Sequence, residues 1–341
     1  MRIKKKILKE VIYPYAVNAY DIGNRKKLMF ATELDGPCVG IWADTLEEEQ
    51  IWDGFGGTMN TCQLNEKGDF LAIQNFYKGF NSHTAKVVKV TNINGNWDIE
   101  EVLRLPFCHR MCVVNIEDQQ YVICCVVANN KKDKADWSEP GRVEIGQLGS
   151  DGKLHMTLLL DGIHKNHGMY KGTLNGQLVV IITGVEGAYK IAIPEKPGNP
   201  WEIELLIERE ISDATVVDID GDGQDEIITI EKFHGNQVVI NKLIGGKWNK
   251  VYSYPVEFGH AIWSGQFLSK PAFLIGYRAA NAALLMFTLK EKREDEWFMD
   301  VTVIDEHEAP TNITVVHADT CEQLFCCSGG KNRIVLYEIS E

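Results

Sequence analysis

"SDATVVDIDGDGQDEIITI", residues 212–230, reads as a strand, an Asp/Gly turn and a returning strand. The flanking runs "ATVV" and "EIITI" are rich in β-branched residues, which suit a pleated, half-buried backbone. "DGDG" between them supplies positive-φ positions and carboxylates that bond their own backbone, the chemistry of a tight turn. Six further segments align on that turn. They begin at Tyr15 ("YAVNAYDIGNRKKLMFA"), Gly57 ("GTMNTCQLNEKGDFLAI"), His109 ("HRMCVVNIEDQQYVICC"), His167 ("HGMYKGTLNGQLVVII"), His260 ("HAIWSGQFLSKPAFLIG") and Thr311 ("TNITVVHADTCEQLFCC").

The seven starts are 42 to 58 residues apart, close to the roughly 40–50 residues of a four-stranded propeller blade. Helical periodicity over ten or more residues is nowhere convincing. The sequence therefore predicts an all-β, seven-bladed β-propeller, a single domain over residues 1–341. The last unit has room for only about three strands before Glu341, so residues 1–14, with "KKKILKEVIY", are expected to complete it and close the ring. Such closure removes the free sheet edges that invite aggregation.

Composition narrows the partners. The 341 residues are 45% hydrophobic and 24% charged with a net charge of −13, and so acidic a chain repels phosphate backbones, which argues against nucleic acid. No apolar run approaches 18 residues, so no membrane-spanning helix is expected. The nine cysteines form no CxxC pair and lie partly in apolar runs such as "YVICCVV". They read as small core residues of a protein in a reducing cytoplasm. Oligomeric state is left open.

The alignment places one residue of every unit at the start of its innermost strand: Tyr15, Gly57, His109, His167, Ser212, His260 and Thr311. Three of these seven are histidine, against 9 of 341 in the chain, and inner-strand starts converge around one mouth of the central channel. Neutral imidazole suits Zn, Mn or Fe, so His109, His167 and His260 are the expected metal ligands. The alternative is that they only bond neighbouring blades and hold water. Loops on the same face add Gln74, Lys131, Trp137, Asn166, Glu231 and Arg278 as candidate substrate contacts, with Arg278 suited to a carboxylate or to sugar hydroxyls. His234, near Glu231, and His164 are candidate acid–base groups, with Tyr277 as a further one. Asp218, Asp220, Asp222 and Asp225 form either a calcium cradle or a purely structural hairpin. The twelfth position from Asp218 is Thr229, so this is not an EF-hand.

"VVDIDGDGQDEIIT" resembles the FG-GAP or VCBS type of propeller repeat, and "FGHAIWSGQF" is similar to a variant of it. "VIDEHEAPTNITVV…GGKNRIVLYEIS" resembles the closing blades of bacterial propellers grouped with aldos-2-ulose dehydratases. The resemblance covers most of the chain in pattern, although only the fifth unit carries the full acidic turn. It implies a metal-dependent lyase or dehydratase that carries out β-elimination beside a carbonyl of a keto-sugar, keto-glycoside or small oligosaccharide. A hydrolase or isomerase on the same scaffold is not separable by sequence. The competing class is a non-catalytic propeller that binds a carbohydrate or a protein segment.

Overall fold

A computed structural model describes residues 1–77, 81–293 and 296–341. Its 28 strands form seven antiparallel four-stranded sheets. Six of these are sequential meanders, and their first, innermost strands are Pro14–Ile22, Thr61–Gln63, Cys108–Ile116, Gly168–Leu174, Asp213–Val217 and Gly259–Phe267. The seventh runs Pro310–Ala318, Cys321–Ser328 and Arg333–Ser340, and its outer strand is Arg2–Glu10, paired antiparallel to Arg333–Ser340. The architecture is the seven-bladed propeller that the repeat predicts, closed by the N-terminal strand. The single helical turn among the described residues is a 3₁₀ turn at Gly329–Lys331, and no helix is long and apolar enough to cross a membrane.

The core lies between neighbouring blades, because each twisted sheet is apolar on both faces. Ile228, Ile230, Val238 and Ile240 of blade five, for example, pack on Phe273, Ile275, Leu285 and Phe287 of blade six. Within blade six, Phe273 and Phe287 stack with ring centroids 4.6 Å apart. The N-terminal closure is also electrostatic. Glu308, fully buried, accepts from Lys5, Ser328 and Arg333. Seven cysteines are buried and two half-buried, all as free thiols.

One backbone device recurs at the inner-strand starts. Tyr15, His109, His260 and Thr311 are each the extra residue at a register shift of the inner hairpin. A bulge bends the strand and re-aims the extra side chain: Tyr15, His109 and His260 face one end of the channel, while the Thr311 hydroxyl donates to the carbonyls of Pro14 and Cys327. Two positions earlier stand Tyr13, Phe107, Phe258 and Ala309, all left-handed. Gly57, the corresponding residue of blade two, is left-handed itself, and a Cβ there would lie 2.2 Å from the amide nitrogen of Phe76. Only glycine fits that approach.

Candidate functional site

Four imidazoles meet at one end of the channel. His109 and His260 come from the bulges of blades three and six, and His167 from the residue just ahead of Gly168–Leu174. His234 comes from the loop between Glu226–Glu231 and Gln237–Ile244 of blade five, where it is left-handed and its amide donates to Ser212 Oγ at 3.2 Å. Ring centroids are 4.5 Å apart for His109–His167, 5.0 Å for His167–His234, 5.2 Å for His234–His260 and 5.8 Å for His167–His260. Tyr15 stands edge-on to His260 at 5.5 Å, and its hydroxyl is 3.3 Å from His109 Nε2.

Burial keeps all four rings neutral. It drives His109, His167 and His260 well below the ordinary histidine range, with the cationic Arg110 adding to the effect. His234 falls to about 3, through burial first and then Arg278, Lys134 and Lys165. Tautomers are set by carbonyls, which can only accept. His167 Nδ1 donates to Ser212 O at 3.2 Å, and His260 Nδ1 donates to Thr311 O at 2.7 Å. Each ring therefore keeps Nε2 as a lone-pair nitrogen. His234 Nε2 is buried and has no hydrogen-bond partner among the described residues.

One ring nitrogen from each of His167, His234 and His260 lies within 4.8 Å of the others. This trio differs from the expected His109, His167 and His260. His234 enters because its left-handed turn folds the blade-five loop over the channel, a long-range placement that the repeat alignment does not register. His109 lies beside the trio, between His167 and Tyr15.

The trio borders a cavity of about 260 Å³ whose wall includes Tyr15, His109, Trp137, Phe233, Phe258, Arg278 and Lys134. Trp137 meets Phe233 edge-on at 5.2 Å, and the Arg278 guanidinium lies 5.4 Å from the centre of the Phe258 ring. Arg278 and Trp137 are thus where the sequence placed them. Tyr15, Phe233, Phe258 and Lys134 were not proposed as contacts; of these, only Tyr15 carried a signal, its place in the inner-strand column.

The other candidates do not line this cavity. His164 Nδ1 is 2.7 Å from Glu186 Oε1. Tyr277 is buried and donates to Asn281. Lys131 donates to the carbonyls of Asp136 and Lys134 and sits over the Trp137 ring, so it shapes that loop. Glu231 pairs with Arg209 and accepts from Thr229 instead of orienting His234. Asn166 donates to Arg142 O, and Gln74 is buried in the inner hairpin of blade two.

On blade five, the Asp218 carboxylate accepts the amides of Gly221, Asp222 and Gly223, and Asp225 exchanges bonds with Asn175 of blade four. Asp218, Asp220 and Asp222 bring carboxylate oxygens within 4.8 Å of one another. An ammonium already stands among these acids: Lys242 Nζ is 3.0 Å from Asp220 and 2.9 Å from Asp222, and it also bonds Glu226. Lys292 Nζ also lies 2.8 Å from Asp220 Oδ2, so the turn carries two counter-cations of its own.

No family model matches the chain, and no curated protein matches by sequence. Solved propellers match by shape. The Dos1 propeller superposes with a TM-score of 0.56 at 8% identity, covering 92% of this chain and 74% of that one. A candidate 6-phosphogluconolactonase from Bacteroides uniformis gives 0.60 at 11%, covering 95% and 91%. A chain of the mitotic checkpoint complex gives 0.62 at 6%, covering 99% and 91%. At such identities the likeness establishes the propeller fold and nothing of the chemistry.

Proposed function

We propose that the cavity is a three-histidine centre for a divalent transition metal, Zn, Mn or Fe, serving a carbon–oxygen lyase that eliminates water or an alkoxide beside a carbonyl of a small keto-sugar or keto-glycoside. The observation that carries this is the convergence of His167, His234 and His260, neutral and from three blades, with two tautomers locked by carbonyls and the buried His234 Nε2 lacking a partner among the described residues. Such a donor set fits the metal: neutral imidazoles oriented by outer bonds, with positions left open for substrate. When bound, the ion would polarise the carbonyl beside which the proton is lost.

The chain's own groups supply the rest. Burial pushes the Tyr15 phenol up to about 12, so it is protonated at neutral pH and poised to give its proton to a departing oxygen. His109, neutral and 3.3 Å from that hydroxyl, is placed to accept a proton and pass it along the pair. Arg278 can hold a substrate oxygen, while Trp137 and Phe233 pack on the apolar face of a sugar ring and keep water out. The FG-GAP-like turn and the dehydratase-like closing blade support the same reading. The nine free thiols favour a reducing, cytoplasmic setting.

The test is metal content, by plasma mass spectrometry, of protein purified without a histidine tag. Wild type and His109→Ala should hold one transition-metal ion per chain. A folded His167→Ala/His234→Ala/His260→Ala variant should hold none, and His109→Ala should lose turnover while keeping its metal. Wild-type protein that takes up no transition metal even on reconstitution would overturn the proposal and favour a carbohydrate- or protein-binding propeller.

A further inference from the structure

Beneath the plate of rings formed by Tyr15, His109, His167 and His260, the central channel opens into a second chamber of about 680 Å³ lined by inner-strand residues. Arg110, the residue after His109, projects into it. Its side chain is nine-tenths buried and its Nη2 is 3.8 Å from Asp213 Oδ2, beyond hydrogen-bond reach. Its Nε is buried with no partner. Among the described residues the guanidinium thus donates no hydrogen bond to the protein, although it carries five donors. A buried cation left so unsatisfied is costly unless something in the chamber accepts from it.

Charge says what that acceptor is. The charged groups facing the chamber are Arg110, Lys171, Asp213 and Asp21. Asp21 is neutralised by Lys26. Lys171 donates to the carbonyl of Val113 at 3.0 Å and has no carboxylate partner among the described residues. Asp213 spends Oδ1 on the amide of Ala214. Two cations therefore face one available carboxylate, an excess of positive charge inside a chain of net charge −13. Asn60, Thr215 and Asn312 add amide and hydroxyl groups around it.

We propose that this chamber is a binding site for a small oxyanion, a phosphate or carboxylate group held by Arg110 with Lys171 at the approach. The site is separate from the histidine cavity and does not depend on its function. Asp213 competes for the same guanidinium and limits affinity.

Calorimetric titration with inorganic phosphate and with acetate distinguishes the two anion types. Wild type is expected to bind at least one of them at millimolar concentration. Arg110→Gln should weaken that binding roughly tenfold or more, the loss of one charge-assisted hydrogen bond. Asp213→Asn should tighten it by several-fold, and Arg278→Gln should leave it unchanged. Should Arg110→Gln fail to fold, Asp213→Asn decides alone: unchanged or weaker binding overturns the proposal. So does the absence of binding by wild type, wild-type affinity in a folded Arg110→Gln, or loss in Arg278→Gln, which would move the anion to the histidine cavity.

Discussion

Lys242 shows how much one residue's neighbours change its meaning. Read in the chain, "DIDGDGQDE" offers carboxylates at alternating positions; in the fold, the ammonium of Lys242 from the adjacent strand sits among Asp220, Asp222 and Glu226. Burial pushes Glu226 up to about 7 despite that ammonium, so the cluster is finely balanced. Removing one partner of a buried ion pair leaves uncompensated charge and costs about 3 kcal/mol or more. Lys242→Met should lower stability by about that amount in urea unfolding, and millimolar calcium should restore part of it while leaving wild type unmoved. Equal calcium response in both proteins would show that Lys242 is not the counter-cation that matters and leave that role to Lys292, which also bonds Asp220. The histidines tell the complementary story, because the column of His109, His167 and His260 could be aligned in sequence while the entry of His234 could not. His234 is 22 residues beyond Ser212, yet its amide bonds the Ser212 hydroxyl.

At the scale of elements, the inner hairpins do more than line the channel. The bulges that carry Tyr15, His109 and His260 turn three side chains inward from strands whose regular alternation would place them otherwise. The closing strand Arg2–Glu10 matters for a different reason. It covers the edge of Arg333–Ser340 and brings Lys5 to the buried Glu308. Deleting residues 2–10 should expose that edge and leave Glu308 short of a partner. The expected outcome is a melting temperature lower by about 10 °C or more, with dimers or larger species seen by light scattering. A truncated chain that stays monomeric with an unchanged melting temperature would show that ring closure is dispensable.

For the whole molecule, packing four neutral imidazoles into one buried site makes stability depend on pH. Their folded-state pKa values lie below the unfolded value of about 6.5. Below that pH the unfolded chain therefore binds more protons than the folded one. Stability from this source is full above about pH 6.5 and falls as pH drops, by up to about 1.4 kcal/mol per unit for each ring. Metal-free protein should unfold at markedly lower urea at pH 5 than at pH 7. The His167→Gln/His234→Gln double variant should show about half of that dependence, and the same slope in both proteins would contradict the burial argument.

The sequence by itself determined the blade count, the spacing and the histidine column, because these rest on local periodicity: β-branched runs, Asp/Gly turns and a repeat that recurs along one dimension. It also placed Arg278 and Trp137 on the face that holds the cavity. Only the tertiary structure decided which imidazoles share a centre, that Glu231 turns to Arg209, and that Lys242 fills the acidic turn. Those outcomes depend on bulges, left-handed residues and contacts between blades, where side chains distant in sequence compete for the same few ångströms and the better-satisfied pair wins.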